Sequence, residues 1–166
     1  MGINNPELSF ETLYLDEDLL QIEVIASNGK YAGITTFYLN PNETELVEFA
    51  KKLLSFPQYI GQVVRHKFGF SQDELIDLKK KGFKGVTSFV DLHFYCVDKL
   101  GHSALRINLI EESWSEQEDD RDNVSLELQF DPASLDVFVQ ELIVLAETKK
   151  GKATLKGDIA VKGGYY

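Results

Sequence analysis

Cysteine is almost missing from this chain. Cys96 is the only one in 166 residues, which excludes an intrachain disulfide and any zinc site that needs four cysteines or a cysteine pair with histidines. Stability must come from a packed core, and a chain of this length buries roughly 70% of the surface its unfolded form exposes. Long apolar runs are missing too. No stretch approaches the length of a membrane span, and the start, Met1-Gly2-Ile3-Asn4-Asn5-Pro6-Glu7, lacks the basic and apolar segments of a signal peptide. A soluble cytoplasmic protein is the expectation, with no membrane partner. Positive charge is in short supply, with 17 Lys and Arg against 27 Asp and Glu and a formal charge of −10. That balance repels nucleic-acid phosphates and anionic lipid at long range and favours a basic protein partner. The motifs of common chemistry are also wanting. The glycines form no phosphate-binding or dinucleotide loop, there is no Gly-x-Ser-x-Gly, and neither Cys-x2-Cys nor His-x3-His spacing occurs. No cofactor, no metal and no catalytic set is expected.

What the chain does contain is one pattern used twice. Phe37-Tyr38-Leu39-Asn40-Pro41 leads to Leu46, Phe49 and Leu53; Leu128-Gln129-Phe130-Asp131-Pro132 leads to Leu135, Phe138 and Leu142. Steps of three and then four residues place each Leu-Phe-Leu set on one face of a helix. Alternation upstream of each copy predicts strands. In the first half, residues 8–15 and the apolar positions Leu20, Ile22, Val24 and Ala26 are separated by Asp16-Glu17-Asp18, and Asn28-Gly29 signals a two-residue hairpin turn. Such a turn sets Leu20 opposite Phe37, Ile22 opposite Thr35 and Val24 opposite Gly33. In the second half, Val90, Leu92, Phe94 and Cys96 share a face, and the turn at Asp98-Lys99-Leu100-Gly101 sets Phe94 opposite Leu105 and Leu92 opposite Ile107. Val124, Leu126, Leu128 and Phe130 make a third strand.

The reading is an α+β domain over residues 1–148, built from two strand-strand-strand-helix halves at about 8–55 and 88–148 with a bridge at 58–86. The helices are expected to pack on the apolar face of antiparallel sheet, in one sheet or two. Within the bridge, 62–68 suits a strand, and Ser71-Gln72-Asp73-Glu74 has the form of a capping box before a short helix. Residues 149–166, with five lysines, read as a Lys- and Gly-rich tail that forms at most a weak hairpin over 153–161.

Two groups of polar residues stand out. Between 111 and 123 lie Glu111, Glu112, Glu116, Glu118, Asp119, Asp120 and Asp122, with Arg121 as the lone opposing charge and Trp114, the only tryptophan, among them. This stretch is expected to be a solvated loop between strands. Its acids suit steering of a basic partner and its tryptophan an anchoring contact. The second group is Asp91, His93 and Tyr95, alternating along one strand, with Arg106 opposite His93 and Asn108 opposite Asp91. A histidine beside a carboxylate is the beginning of an acid-base pair, so this face is the alternative, enzymatic reading. Ile25, Ile34 and Tyr38 leave the outer face of the first half partly apolar, which leaves a homo-oligomer open as a third reading.

Ser27-Asn28-Gly29-Lys30-Tyr31-Ala32-Gly33, Phe37-Tyr38-Leu39-Asn40-Pro41 and Leu46-x2-Phe49-Ala50-x2-Leu53-x2-Phe56-Pro57 resemble small bacterial immunity-type proteins encoded beside contact-dependent toxins. Leu105-Arg106-Ile107, Glu111-x2-Trp114 and the Asp131-Pro132 helix are similar in style, so the resemblance spans residues 19–147. It implies a non-enzymatic protein that neutralises a toxin, often a nuclease, by covering its active surface. No individual site residue carries over.

Overall fold

Among the described residues, ten elements follow one another as β1 (Pro6–Leu15), β2 (Leu20–Asn28), β3 (Ala32–Leu39), α1 (Glu45–Leu54), β4 (Val63–Phe68), β5 (Gly85–Cys96), β6 (Ser103–Trp114), β7 (Asp119–Phe130), α2 (Pro132–Thr148) and β8 (Lys152–Lys156). They belong to a computed structural model that describes residues 5–69, 80–81, 85–114 and 119–159. The chain is α+β, with two four-stranded antiparallel sheets in the orders β3-β2-β1-β8 and β4-β5-β6-β7. The capping box at Ser71 lies outside the described residues. None of the described helices is long and apolar enough to cross a membrane.

Each half consists of three strands, a helix and a fourth strand that leaves its own sheet. β4 follows α1 but pairs with β5 of the second half, and β8 follows α2 but pairs with β1 of the first. The halves are thereby exchanged and share a single core. Within the segment read as a tail or weak hairpin, residues 152–156 are instead an ordered strand of the first sheet. Lys152, Thr154 and Lys156 alternate with Ala153 and Leu155, both wholly buried, and Phe10 faces Ala153 across the ladder. A period of two, not lysine content, decides the element.

Phenylalanine joins the layers. Phe49 of α1 packs against Phe10 of β1 at 6.1 Å between ring centroids, Phe68 of β4 at 5.2 Å, Phe94 of β5 at 6.0 Å and Phe138 of α2 at 6.5 Å. Phe37 and Phe68, one from each sheet, stack at 4.4 Å. All six residues of the doubled helical pattern are buried. The helices lie against each other, α1 beside β4 and α2 beside β8, while β3 packs directly on the strands of the second sheet.

That direct contact explains one glycine. Gly33 keeps ordinary strand geometry, yet a Cβ there would lie 3.0–3.1 Å from three side-chain atoms of Val124. Gly33 and Val124 occupy the same position in the repeat, four residues before Phe37 and Leu128. In a two-fold arrangement equivalent positions meet each other, and two valines would not fit here. One copy carries no side chain.

The second hairpin has the expected register, with Phe94 opposite Leu105 and Leu92 opposite Ile107. The first is shifted by two residues, so that Leu20 faces Leu39, Ile22 faces Phe37 and Val24 faces Thr35. Asn28 causes the difference. Its Oδ1 accepts the backbone N–H groups of Lys30 and Tyr31, and the Asn28 amide donates to the Tyr31 carbonyl, so four residues, Asn28 to Tyr31, separate the last ladder pair, Ser27 and Ala32. An even shift leaves the apolar face unchanged. The two helix starts also differ. Asp131 accepts the Ser134 amide at 2.8 Å as a true N-cap with Pro132 behind it, whereas Asn40 closes a turn onto Asn42 and α1 begins later, at Glu45.

Candidate functional site

β5, β6 and β7 are longer than the core they cover. The last inward-facing apolar row is Val90, Leu109 and Val124, and β4 ends at the same level, where Phe68 pairs with Val90. Beyond it β6 continues for five residues, about 17 Å of strand, with β5 and β7 beside it. The sheet therefore projects as a three-stranded extension whose end carries the acidic stretch.

This corrects the expected loop. Glu111 and Glu112 belong to β6, and Asp122 and Arg121 of β7 lie directly opposite them; further out Asp120 pairs with Ser113, and Asp119 with Trp114. Glu116 and Glu118 lie outside the described residues. Strands here have little apolar material to cover, so composition suggested a loop while the backbone ladder simply ran on. The two faces of the extension differ. On one, Arg121 Nε lies 3.6 Å from Glu112 Oε1 and the charges cancel. On the other, Glu111 and Asp122 are cross-strand partners of like sign, both exposed. Such a pair works against the ladder that holds it.

Nearer the middle of the sheet, the outer face carries the second group. His93 sits between Arg65 and Arg106, and Asp91 between Lys67 and Asn108. Asp91 is turned to Arg65, at 3.5 Å, and no hydrogen bond joins it to His93 among the described residues. Tyr95 donates its hydroxyl to Glu127 Oε1 at 2.7 Å, Arg106 donates Nε to Glu127 Oε2 at 3.0 Å, and the guanidinium lies 5.3 Å over the Tyr95 ring. Burial alone would raise the Glu127 carboxyl, but the hydrogen bonds from Tyr95 and Arg106 outweigh it and hold the group below its ordinary value. The same bond to Glu127 raises the Tyr95 phenol. Glu127 organises this face and was missed in the sequence; pairing β7 with β6, which sets it opposite Arg106, is the signal that reveals it.

The remaining candidates are dispersed. Cys96 is buried, with its thiol directed at the Asp98 carbonyl at 3.3 Å. His102 bonds Asp98 at 2.6 Å, and His66 lies beneath α1. Among the described residues no group of three or more His, Cys, Asp or Glu is placed to hold a metal ion. Ile34 and Tyr38 are exposed on the outer face of the first sheet, next to a half-buried Ile25. Compared with protein-family models, curated proteins and solved structures, the chain matches none of them.

Proposed function

We propose that this protein is a non-enzymatic, cytoplasmic binding module that captures a basic protein at the acidic end of its second sheet. The observation that carries the reading is the Glu111–Asp122 pair. Like charges facing each other beyond the core cost the fold something and give its packing nothing, and cations from a partner would relieve that repulsion. The formal charge of −10 adds long-range attraction for the same partner. Together with the resemblance to immunity-type proteins, this favours a toxin domain as the partner and occlusion of the toxin's active surface as the mechanism.

The test is capture from an extract of the source organism with the wild-type protein and with the triple variant Glu118→Ser, Asp119→Ser, Asp120→Ser. A basic protein retained by the wild type and lost from the variant supports the reading. Equal retention by both would remove the acidic end from recognition.

A further inference from the structure

The doubled fold repeats one groove, between a helix and the outer edge of the strand that follows it, and the two copies carry opposite charge. Along β8 the walls include Glu7, Asp131 and Glu141 with Lys156. Along β4 they are Lys52, Arg65 and Lys67 with Asp91 and His66, around a cavity of about 470 Å³. Lys52 and Glu141 hold the same place in the repeat, each just before the last leucine of its pattern, Leu53 or Leu142. Each also reaches the strand edge, Lys52 donating to the Arg65 carbonyl at 3.3 Å and Glu141 accepting the Thr154 amide at 2.9 Å. The architecture accepts either sign. Three cations in one groove of so acidic a chain are therefore a property of the β4 side alone.

The cations are organised from below. Lys52 Nζ lies 3.0 Å from Nδ1 of His66, and an ammonium can only donate, so Nδ1 accepts and the imidazole proton sits on Nε2. Nε2 donates to Glu45 Oε1 at 3.1 Å. The His66 side chain is 9% exposed, and its ring packs on Phe68 at 4.4 Å and Phe49 at 5.1 Å. A neutral, immobilised imidazole thus aims the Lys52 ammonium. Lys67 Nζ rests 4.6 Å over the Phe89 ring, and Arg65 engages Asp91 at only 3.5 Å, with other guanidinium N–H groups still available. Gln62 bonds to Cys96 across the ladder, so alternation turns the amides of Arg65 and Lys67 toward the free edge.

The groove's own walls, three cations with one carboxylate and a neutral imidazole, carry a net charge of two, and the Glu45 carboxylate stands behind the imidazole. We propose that this groove binds a dianionic oxyanion of the phosphate class, held by Lys52, Arg65 and Lys67, with His66 and Glu45 as positioning residues for Lys52. Lysines on an edge strand also deter pairing with other chains. That role needs no half-buried Glu45–His66–Lys52 chain; the β8 edge carries Lys152 and Lys156 as such a deterrent.

Titration of the ¹⁵N-labelled full chain with inorganic phosphate, at constant ionic strength and a pH where phosphate is dianionic, tests the site. Saturable shifts at the Arg65 and Lys67 amides are expected, with weaker binding of acetate. Arg65→Met and Lys67→Met should each lower the phosphate affinity about tenfold. His66→Gln should weaken binding in the wild type and not in Lys52→Met; an equal effect in both backgrounds would overturn the positioning role. Absence of saturable shifts, acetate binding as tight as phosphate, or unchanged affinity in both Arg65→Met and Lys67→Met would overturn the site. Because the wild-type titration is decisive alone, a variant that fails to fold does not rescue the proposal.

Discussion

Gly33→Ala is the most informative single change in the core, because local propensity and packing give it opposite signs. Alanine in a strand is ordinarily better than glycine by about 0.5–1 kcal/mol, since glycine loses more conformational freedom on folding. The backbone at Gly33 is that of an ordinary strand, so alanine meets no dihedral strain. The obstacle is Val124, whose Cγ1, Cβ and Cγ2 would lie 3.0, 3.1 and 3.1 Å from the new methyl. Carbon atoms prefer about 3.5–4.0 Å, so three contacts are short together and the sheets must part. Overpacking of this kind costs about 1–3 kcal/mol, and at about 2–4 °C per kcal/mol for a chain of this size the melting temperature should fall by about 2–12 °C. Val124→Ala alone should cost about 1 kcal/mol, because the valine is half-buried. In the Gly33→Ala background it should be neutral or stabilising. Denaturant unfolding of the four proteins gives the coupling, expected at about 1–3 kcal/mol. A Gly33→Ala protein more stable than wild type, or additive effects of the two changes, would refute the direct contact of β3 with β7.

Two further outcomes are expected in solution. Asp131→Ala should remove the N-cap of α2, which accepts the Ser134 amide, and lower stability by about 1 kcal/mol in denaturant unfolding; since that bond holds the Asp131 carboxyl below its ordinary range, its contribution should also fade as acid protonates it. The Asp98–His102 pair should give a bounded pH dependence. Hydrogen bonding to Asp98 raises His102 above the ordinary 6.5, so its stabilisation is complete below that pH and is lost as pH climbs through the raised value. Hydrogen bonding to His102 lowers Asp98 below the ordinary 3.8, so its share is complete above that pH and is lost as pH falls through the lowered value. The pair is strongest between these limits, and Asp98→Asn should flatten the melting temperature across them.

Much of this architecture is written in periodicity. Leu46, Phe49 and Leu53 and their counterparts Leu135, Phe138 and Leu142 announce two helices, and Phe94 opposite Leu105 follows from the alternation together with one four-residue turn. What periodicity does not carry is the partner of a strand. Val63–Phe68 and Lys152–Lys156 alternate well enough, but nothing local says that each joins the other half's sheet. The first hairpin is shifted because the Asn28 side chain, which bonds two amides beyond it, makes Asn28 to Tyr31 a four-residue connection in place of a two-residue turn. Composition points the other way at the acidic end, where acids that deplete strands elsewhere sit on continuous ladders. Alternation places Asp91, His93, Tyr95 and Arg106 on one face, while the residue that ties two of them together, Glu127, enters from a third strand, β7.

The central claim is that Glu111 and Asp122 are kept for a partner at the expense of the fold, and Asp122→Lys separates the two. It converts a repulsive cross-strand pair into an attractive one, which should stabilise the protein by about 0.2–1 kcal/mol. The decisive measurement is calorimetric titration of the captured basic partner into wild type and Asp122→Lys at low and high salt. The account predicts tight, steeply salt-dependent binding by the wild type and weaker, flatter binding by the variant. Equal affinity and equal salt dependence in the two proteins would contradict it.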